Sequence, residues 1–349
     1  MRDLDAGAFT VTIFFYKIII FLALPYVRDK PDGKLIGGHS TSPAQHPYLV
    51  SLQTRFFMIR AHVCGGTLLN ENWILTAGHC VKESFIVRWL PLDAIAGASN
   101  AHDMQYFGPD AQIATVDRRI PHPDYIGGIG PNDIAVLHTS KPFRFTKFVQ
   151  PASLPMLTKI TYEPPLTLSG WGILRTTIFI PDLPRYLQEV NVTYLPHKEC
   201  YEAVEAIKDK GEINPLDEKS NICTGPLSGG ISACSGDSGG PLIQLTKTQE
   251  NTIDDDEDNF IDDNYPLSIP RRQEVNKIDN DDGEIIPIVV GVVSWGSSPC
   301  GEKGAPTVYT KVENFMDFIN KYVKYLYSFY FIKLVQNILH YKLNYLKTT

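Results

Sequence analysis

Short apolar runs separated by glycine, proline and asparagine fill the chain from residue 35 onward. Runs of this length, with turn residues at both ends, are typical of β-strands. The clearest of them are Pro47–Gln53, Trp73–Ala77, Ile134–His138, Leu187–Thr193, Pro287–Trp295 and Pro306–Lys311. Apolar residues at helical spacing occur near the end of the chain, at Phe315, Phe318, Ile319 and Tyr322. Many strands and one late helix predict an all-β domain, either a sandwich or a barrel.

Residues 246–286 interrupt the strand pattern. They hold 13 acidic and 4 basic residues, including the five consecutive acids of Asp254–Asp258. Like charges repel one another, and the segment has too few apolar residues to fold alone, so we expect a solvated loop. The simplest interpretation is an inert insertion at a hairpin tip. The alternatives are a binding or processing role, with Arg271–Arg272 as an exposed dibasic cut site, and a misjoined gene model.

The two ends of the chain lie outside the strand-rich region. Residues 8–27 are an apolar run broken by Lys17, so we expect residues 1–27 to be a signal peptide with Ile18–Leu24 as its hydrophobic part. The alternative is an uncleaved membrane anchor, in which a central lysine would cost roughly 2.5–3.5 kcal/mol. Residues 324–349 are aromatic, basic and free of acids. They are either a basic amphipathic segment or translated non-coding sequence, and we leave them unassigned.

Composition and charge exclude several classes of protein. At 349 residues, the chain is about two domains long, and 43% hydrophobic residues can bury a sizeable core. A net charge of −7 argues against a nucleic-acid binder, which needs a basic surface. The six cysteines contain no Cys-x-x-Cys pair, which favours three disulfides over a metal site. Disulfides in turn require an oxidising compartment, as expected for an exported chain.

Three short motifs carry the chemical signal. In chain order they are Thr76-Ala77-Gly78-His79-Cys80, Asn132-Asp133-Ile134-Ala135-Val136-Leu137 and Gly236-Asp237-Ser238-Gly239-Gly240-Pro241. Each alone has an ordinary structural explanation: a core histidine, the start of a strand, and a glycine-rich turn. The third is the most specific, because glycines let a backbone bend sharply and approach a substrate. The order His, Asp, Ser excludes the subtilisin and α/β-hydrolase arrangements.

These motifs resemble those of the chymotrypsin-like (trypsin-fold) serine proteases, over residues 35–323 apart from the acidic insertion. The supporting segments are Leu35-Ile36-Gly37-Gly38, Cys64-Gly65-Gly66, Gly170-Trp171-Gly172, Ser294-Trp295-Gly296 and Pro306-Thr307-Val308-Tyr309. The resemblance implies two antiparallel β-barrels with the active site between them and a C-terminal helix. It also implies a Ser-His-Asp triad, in which Ser238 attacks the peptide carbonyl, His79 transfers the proton and Asp133 orients His79. The backbone N–H groups of Gly236 and Ser238 would then form the oxyanion hole.

The same resemblance implies an activation mechanism and a disulfide pattern. Cleavage after Lys34 would remove residues 28–34 as a propeptide and free the amine of Leu35 to pair with Asp237. Family members usually have isoleucine at the position of Leu35, so the leucine of this chain departs from the family pattern. The implied disulfides are Cys64–Cys80, Cys200–Cys223 and Cys234–Cys300. No cysteine then remains to hold the propeptide, which should leave after cleavage.

Substrate choice is inferred from the pocket positions of the family. The positions expected to bind substrate are Ser232, Ala233, Ser294, Trp295, Gly296 and Thr307. Ser232 takes the floor position where trypsins have an aspartate, so a buried substrate arginine or lysine would be unpaired. Gly296 leaves the entrance open as in chymotrypsins, and Thr307 narrows the bottom as in some elastases. The pocket therefore predicts cleavage after apolar residues such as Leu, Met, Val or Ala, or after Phe or Tyr.

The expected protein is a secreted, monomeric serine endopeptidase made as a zymogen. Its partners would be protein or peptide substrates, a trypsin-like activating protease and protein protease inhibitors, without nucleic acid or membrane. We expect no cofactor and no metal, and we expect six other histidines to be surface or structural residues rather than metal ligands: His39, His46, His62, His102, His122 and His197. Asn191 begins a glycosylation sequon. The alternatives are a membrane-tethered protease and a non-catalytic homologue that acts as a binding protein.

Overall fold

The computed structural model describes residues 37–57, 59–82, 89–103, 106–155, 160–162, 165–173, 182–247 and 285–323. These residues all lie in the unit Lys34–Thr349. The signal peptide, the anchor alternative, Lys34, Leu35, most of the acidic insertion and the C-terminal tail lie outside the described residues. In the described part of the chain, no helix is both long enough and apolar enough to cross a membrane.

The first half of the chain forms a closed antiparallel barrel. Its strands are β2 (Leu49–Phe56), β3 (Ile59–Leu68), β4 (Trp73–Thr76), β5 (Leu92–Ala96), β6 (Gln112–Pro121) and β7 (Ala135–Thr139). They close in the order β2-β3-β4-β7-β6-β5, with β5 pairing back to β2. All four residues of β4 are buried, because this strand lies inside the barrel wall with β3 and β7 on either side.

The second half forms another closed ring of six antiparallel strands. Its strands are β8 (Leu166–Gly170), β9 (Gln188–Leu195), β10 (Asn221–Gly225), β11 (Pro241–Lys247), β12 (Ile285–Gly296) and β13 (Thr307–Lys311). The short strand β1 (His39–Ser40) adds to the outer edge of β9. The expectation of two antiparallel barrels is confirmed.

Three helices and one 3₁₀ turn complete the described fold. They are α1 (His79–Lys82), α2 (His197–Ile207), the 3₁₀ turn Val312–Phe315 and α3 (Met316–Tyr322). The late helix is where the apolar spacing predicted it. Helix α2 was not predicted from the sequence, because it buries only Cys200 and Val204, and so narrow an apolar stripe gives a weak periodic signal.

The acidic insertion joins two paired strands. Strands β11 and β12 pair from Pro241–Val292 out to Lys247–Ile285, so residues 248–284 connect the open ends of a hairpin. Thr246 and Ile286 also pair, and the strands therefore extend slightly into the range assigned to the insertion from the sequence.

Candidate active site

The histidine and the aspartate of the first two motifs are held together by two hydrogen bonds. The side-chain Nδ1 of His79 lies 2.7 Å from Asp133 Oδ2, and the backbone N–H of His79 donates to Asp133 Oδ1 at 2.8 Å. Asp133 is only 2% exposed. Because a carboxylate only accepts hydrogen bonds, the proton on this side of the ring is on Nδ1. In that tautomer, the lone pair that can accept a proton is on Nε2.

Local structure explains how these two residues meet. His79 begins α1, directly after β4, and Asp133 lies just before β7, the neighbour of β4 in the barrel. Asn132 has a φ of +62°, a left-handed conformation that asparagine tolerates better than most residues, and its N–H donates to Ser220 Oγ at 2.7 Å. The turn before β7 is therefore fixed from both barrels.

Two hydroxyl groups from the second barrel complete the surroundings of Asp133. Ser294 Oγ donates to Asp133 Oδ2 at 2.6 Å, and Thr310 Oγ1 donates to the Asp133 backbone carbonyl at 2.6 Å. Ser294 was predicted to bind substrate, and Thr310 was not among the predicted site residues. A threonine in a strand carries no signal that distinguishes this contact from ordinary packing, so only the fold identifies it.

The third motif forms a tight turn that packs against the first barrel. The N–H of Gly65 donates to the carbonyl of Ser238 at 2.7 Å. Gly239 has a φ of +77°, and a Cβ there would be 2.2 Å from Thr76 Oγ1. Only glycine fits such an approach, which brings the serine turn against the strand that leads into His79.

Asp237, next to Ser238, is 1% exposed and accepts two backbone hydrogen bonds. The donors are the N–H of Gly172 at 2.8 Å and the N–H of Cys234 at 2.9 Å. Burial raises the pKa of Asp237 from 3.8 to about 6, although these two hydrogen bonds act in the opposite direction. Within the described residues, no cation pairs with this carboxylate.

The Asp237 carboxylate explains why positions 170 and 172 of the Gly170-Trp171-Gly172 segment are glycines. A Cβ on Gly170 would be 2.1 Å from Asp237 Oδ1, and a Cβ on Gly172 would be 2.2 Å from Oδ2. These distances are far below van der Waals contact, so a side chain at either position would displace the carboxylate. This segment is one of those that carry the resemblance to the protease family, and the close approach of Asp237 is the physical reason for its two glycines.

Four of the residues predicted to form the pocket lie close together: Ser232, Ala233, Gly296 and Thr307. Ser232 and Thr307 are 7% and 4% exposed, and their hydroxyl oxygens lie 3.1 Å apart. Ser232 Oγ also donates to the Ala233 carbonyl at 2.7 Å. Gly296 is the direct partner of Thr307 in the β12–β13 register, so both residues belong to the same part of the wall. Both side chains are neutral, and position 232 therefore lacks the carboxylate that trypsins have there.

Three disulfides match the pairing that the resemblance implied. Cys64–Cys80 joins β3 to α1 beside His79, and Cys200–Cys223 joins α2 to β10. Cys234–Cys300 joins the segment before the serine turn to the segment after β12. The cluster of Cys64, His79 and Cys80 is the one group of potential metal ligands in the described residues, and its thiols are consumed by a disulfide.

The other histidines have varied surroundings. His39 is exposed, whereas His46 is buried, and both contact the carboxylate of Glu189. His122 packs edge-on against Phe315 and Phe318. His62 and His102 lie beside the serine turn and the Trp171 segment, so they are closer to the candidate site than the sequence suggested. Asn191, the sequon residue, is exposed on β9 and accepts a hydrogen bond from Thr167 Oγ1 at 3.2 Å.

Known proteins with similar sequences fit this architecture. The family described as Trypsin matches residues 35–252 and 278–319, and the unmatched stretch between them lies inside the acidic segment. Kallikrein-1 of Mus musculus is 29% identical over 87% of this chain and 97% of its own length. Lectizyme of Glossina austeni is 30% identical over 80% of this chain and 83% of its own length.

A third relative, described as trypsin from Phaedon cochleariae, is 28% identical over 90% of this chain and 97% of its own length. The family match covers well over half of the chain and contains all three motifs of the candidate site. Together with the double barrel and the His79–Asp133 contacts, it establishes that the chain belongs to the trypsin family of serine endopeptidases.

Proposed function

We propose that this chain is a secreted endopeptidase, made as a zymogen, that cleaves peptide bonds after apolar residues. Ser238 is the nucleophile, because its turn is packed against the strand that leads into His79. His79 takes the serine proton as the acyl-enzyme forms and gives it to the leaving amine. Asp133 keeps the His79 proton on Nδ1 and stabilises the imidazolium. Water then hydrolyses the acyl-enzyme by the same route.

The oxyanion of the tetrahedral intermediate would be bound by the backbone N–H groups of Gly236 and Ser238. Gly236 has a φ of +104°, which a residue with a side chain rarely adopts. Donors fixed in advance stabilise developing charge without reorganisation, and losing one costs about 10²–10³ in rate in related enzymes. No cofactor or metal takes part in this chemistry.

The Ser232–Thr307 contact is the observation that carries the substrate preference. Both side chains are buried, and both are neutral. A substrate arginine or lysine would lose its hydration there without meeting an opposite charge, which is costly. Thr307 adds bulk to the pocket wall beside Gly296, which itself adds none. This combination favours medium apolar side chains such as Leu, Met or Val.

Activation would begin with a cut after Lys34 by a trypsin-like protease. The new amine of Leu35 would pair with Asp237, whose buried carboxylate has no cation partner within the described residues. The raised pKa of Asp237 supports this proposal, because a buried carboxylate gains most from an ammonium group. All six cysteines are in disulfides, so residues 28–34 would leave after the cut.

Two observations support secretion. The three disulfides require an oxidising compartment, and residues 1–27 have the pattern of an export signal. The mature enzyme would act as a monomer on protein or peptide substrates and would be controlled by protein protease inhibitors. Nucleic acid and membranes are not expected partners.

A peptide panel tests the proposed function. The chain is cleaved with trypsin, the trypsin is inhibited, and matched chromogenic peptides ending in Phe, Leu, Val or Arg are compared, with Ser238→Ala as the control. We expect cleavage after Leu, Val or Phe and none in the control. Cleavage after Arg alone would refute the pocket assignment. A chain cut at Lys34 that cleaves no peptide and does not react with a fluorophosphonate would support the binding-protein alternative.

Ser232→Asp is the matched variant for the pocket. It adds the missing charge while keeping a side chain of similar reach beside Thr307. We expect this variant to gain cleavage after Arg, because the substrate guanidinium would pair with the new carboxylate. It should lose cleavage after Leu, because a leucine side chain in the pocket would leave that carboxylate buried and unpaired.

A further inference from the structure

Two histidines outside the triad each donate a hydrogen bond to a backbone carbonyl, His62 at the turn that carries Ser238 and His102 at the Gly170–Gly172 segment. His62 Nε2 lies 2.8 Å from the carbonyl of Gly236, and His102 Nε2 lies 2.7 Å from the carbonyl of Trp171. A carbonyl can only accept, so both rings carry their proton on Nε2. The two rings meet edge to face, with their centroids 5.4 Å apart.

The carbonyl that His102 holds belongs to the peptide unit that also binds Asp237. The C=O of Trp171 and the N–H of Gly172 are the two polar ends of one planar peptide. His102 fixes the first end, and the second donates to Asp237 Oδ1 at 2.8 Å. A rotation of this peptide would therefore break both hydrogen bonds together and leave the buried carboxylate with one fewer donor.

The same peptide also touches the turn directly. A Cβ built on Gly236 would be 3.1 Å from Gly172 Cα, so these two backbones are nearly in contact. Asp237 is itself the residue between Gly236 and Ser238. Movement of the Trp171–Gly172 peptide would thus reach both proposed oxyanion donors, one through packing and the other through the Asp237 carboxylate.

His102 is held firmly enough to act as a support. The Oδ1 of Asn100 accepts the backbone N–H groups of His102 at 2.9 Å and Asp103 at 3.2 Å, which holds these two residues against Asn100 in the segment that follows β5. Burial lowers the pKa of His102, which favours the neutral form of the ring.

We propose that His102 is a positioning residue for the oxyanion hole, acting through the Trp171–Gly172 peptide and Asp237. This inference rests on the proposed function, since it assigns the oxyanion donors to Gly236 and Ser238. His102 does not touch the substrate in this scheme. Its loss should therefore slow the chemical step and leave substrate binding nearly intact.

The test compares His102→Gln with His102→Asn in the trypsin-activated enzyme. Glutamine can place an N–H near the position of Nε2, whereas asparagine is one methylene shorter and does not reach the Trp171 carbonyl. We expect His102→Asn to lower kcat about tenfold, the size of one lost hydrogen bond, with KM changed less than about twofold. His102→Gln should recover most of the wild-type kcat. His197→Asn, on α2, is the control and should be unaffected.

A pair of inhibitors separates positioning from general damage. A peptide aldehyde forms a hemiacetal whose oxygen occupies the oxyanion hole, whereas the matching peptide alcohol does not. We expect His102→Asn to weaken binding of the aldehyde by the same factor as it lowers kcat, and to leave binding of the alcohol unchanged. Equal weakening of both inhibitors, an unchanged kcat, or equal losses in the Gln and Asn variants would each overturn the proposal.

Failure of the proposed function would give a different result. If activated wild-type enzyme neither hydrolyses the peptides nor reacts with a fluorophosphonate, the serine assignment fails before His102 is tested. If wild type is active and His102→Asn is equally active, only the role of His102 is refuted. If His102→Asn does not fold, His102→Leu against His102→Gln gives the same comparison, because leucine fills the space without a donor.

Discussion

Asp133 holds His79 at two points, accepting its backbone N–H on one carboxylate oxygen and its ring Nδ1–H on the other. The two bonds fix both the position of the main chain and the orientation of the ring. A single contact would leave the imidazole free to rotate about its side-chain torsions. The double contact therefore determines where Nε2 is presented to the turn that carries Ser238.

Replacing Asp133 with asparagine should nearly abolish turnover while the protein still folds. The amide can accept from only one of the two N–H groups, and its own NH₂ would favour the tautomer of His79 with the proton on Nε2. In related enzymes this change lowers kcat by about 10⁴. Single-turnover kinetics would measure it, with the exposed Asp209→Asn as control. A loss below about tenfold would contradict the assigned role of Asp133.

Substitutions on the pocket wall should change substrate preference in opposite directions. A Cβ on Gly296 would meet nothing closer than the Pro306 carbonyl at 3.8 Å, so Gly296→Val should fold normally and narrow the entrance. We expect it to lower kcat/KM for Phe substrates by about 10–100-fold relative to Ala substrates. Thr307→Gly should deepen the pocket and raise the Phe-to-Val ratio. The ratio within each variant is independent of the active-enzyme concentration.

If Gly296→Val leaves the Phe-to-Ala ratio unchanged and Thr307→Gly leaves the Phe-to-Val ratio unchanged, these residues do not line the specificity pocket. The Ser232–Thr307 contact would then be structural only.

Cleavage after Lys34 should change how stability depends on pH. The pKa of Asp237 is raised from 3.8 to about 6, so the folded state holds this proton more tightly than the unfolded chain. The resulting contribution to the free energy of unfolding is on the order of 3 kcal/mol. It is fully present below pH 4 and is lost as the pH rises through 6. Pairing with the Leu35 ammonium should remove the loss in the cleaved chain.

Urea unfolding from pH 4 to 8 would measure this difference in the Ser238→Ala background, which cannot digest itself. Uncleaved and cleaved chains are compared, and Asp237→Asn provides a control without the titrating group. Identical pH dependence before and after cleavage would show that the new amine does not reach Asp237.

Removing the disulfide of α2 should lower stability more than activity. Cys200–Cys223 spans 23 residues of sequence and connects α2 to β10, with neither residue belonging to the triad or the pocket. Replacing both cysteines with alanine should cost about 3 kcal/mol, mainly by freeing the unfolded chain. We expect kcat within about twofold of wild type. Thermal unfolding measures the first effect, and the activated enzyme measures the second.

A large loss of kcat in the Cys200→Ala/Cys223→Ala variant at a temperature where it is folded would show that α2 supports the active site. That outcome would contradict the separation of stability from activity predicted here.

The strand positions could be predicted because each is a local signal. Trp73–Thr76 and Ala135–Thr139 are short apolar runs with turn residues beside them, and they form strands where the pattern placed them. Helix α2 was not predicted, because only two of its residues are buried and its sequence therefore shows little apolar periodicity. Strands β5 and β10 are fully buried and were not among the predicted strands either, so burial alone does not make an element predictable from a local pattern.

By itself, the sequence determined the family and the triad motifs and predicted the residues of the pocket, because short motifs record the chemical types that the reaction needs. Only the tertiary structure decided the partnerships between distant residues. Examples are Ser294 and Thr310 on Asp133, and His102 on the peptide that holds Asp237. The physical reason is that a hydrogen bond depends on distances of a few ångströms between groups far apart in the chain, which are fixed only when the barrels close.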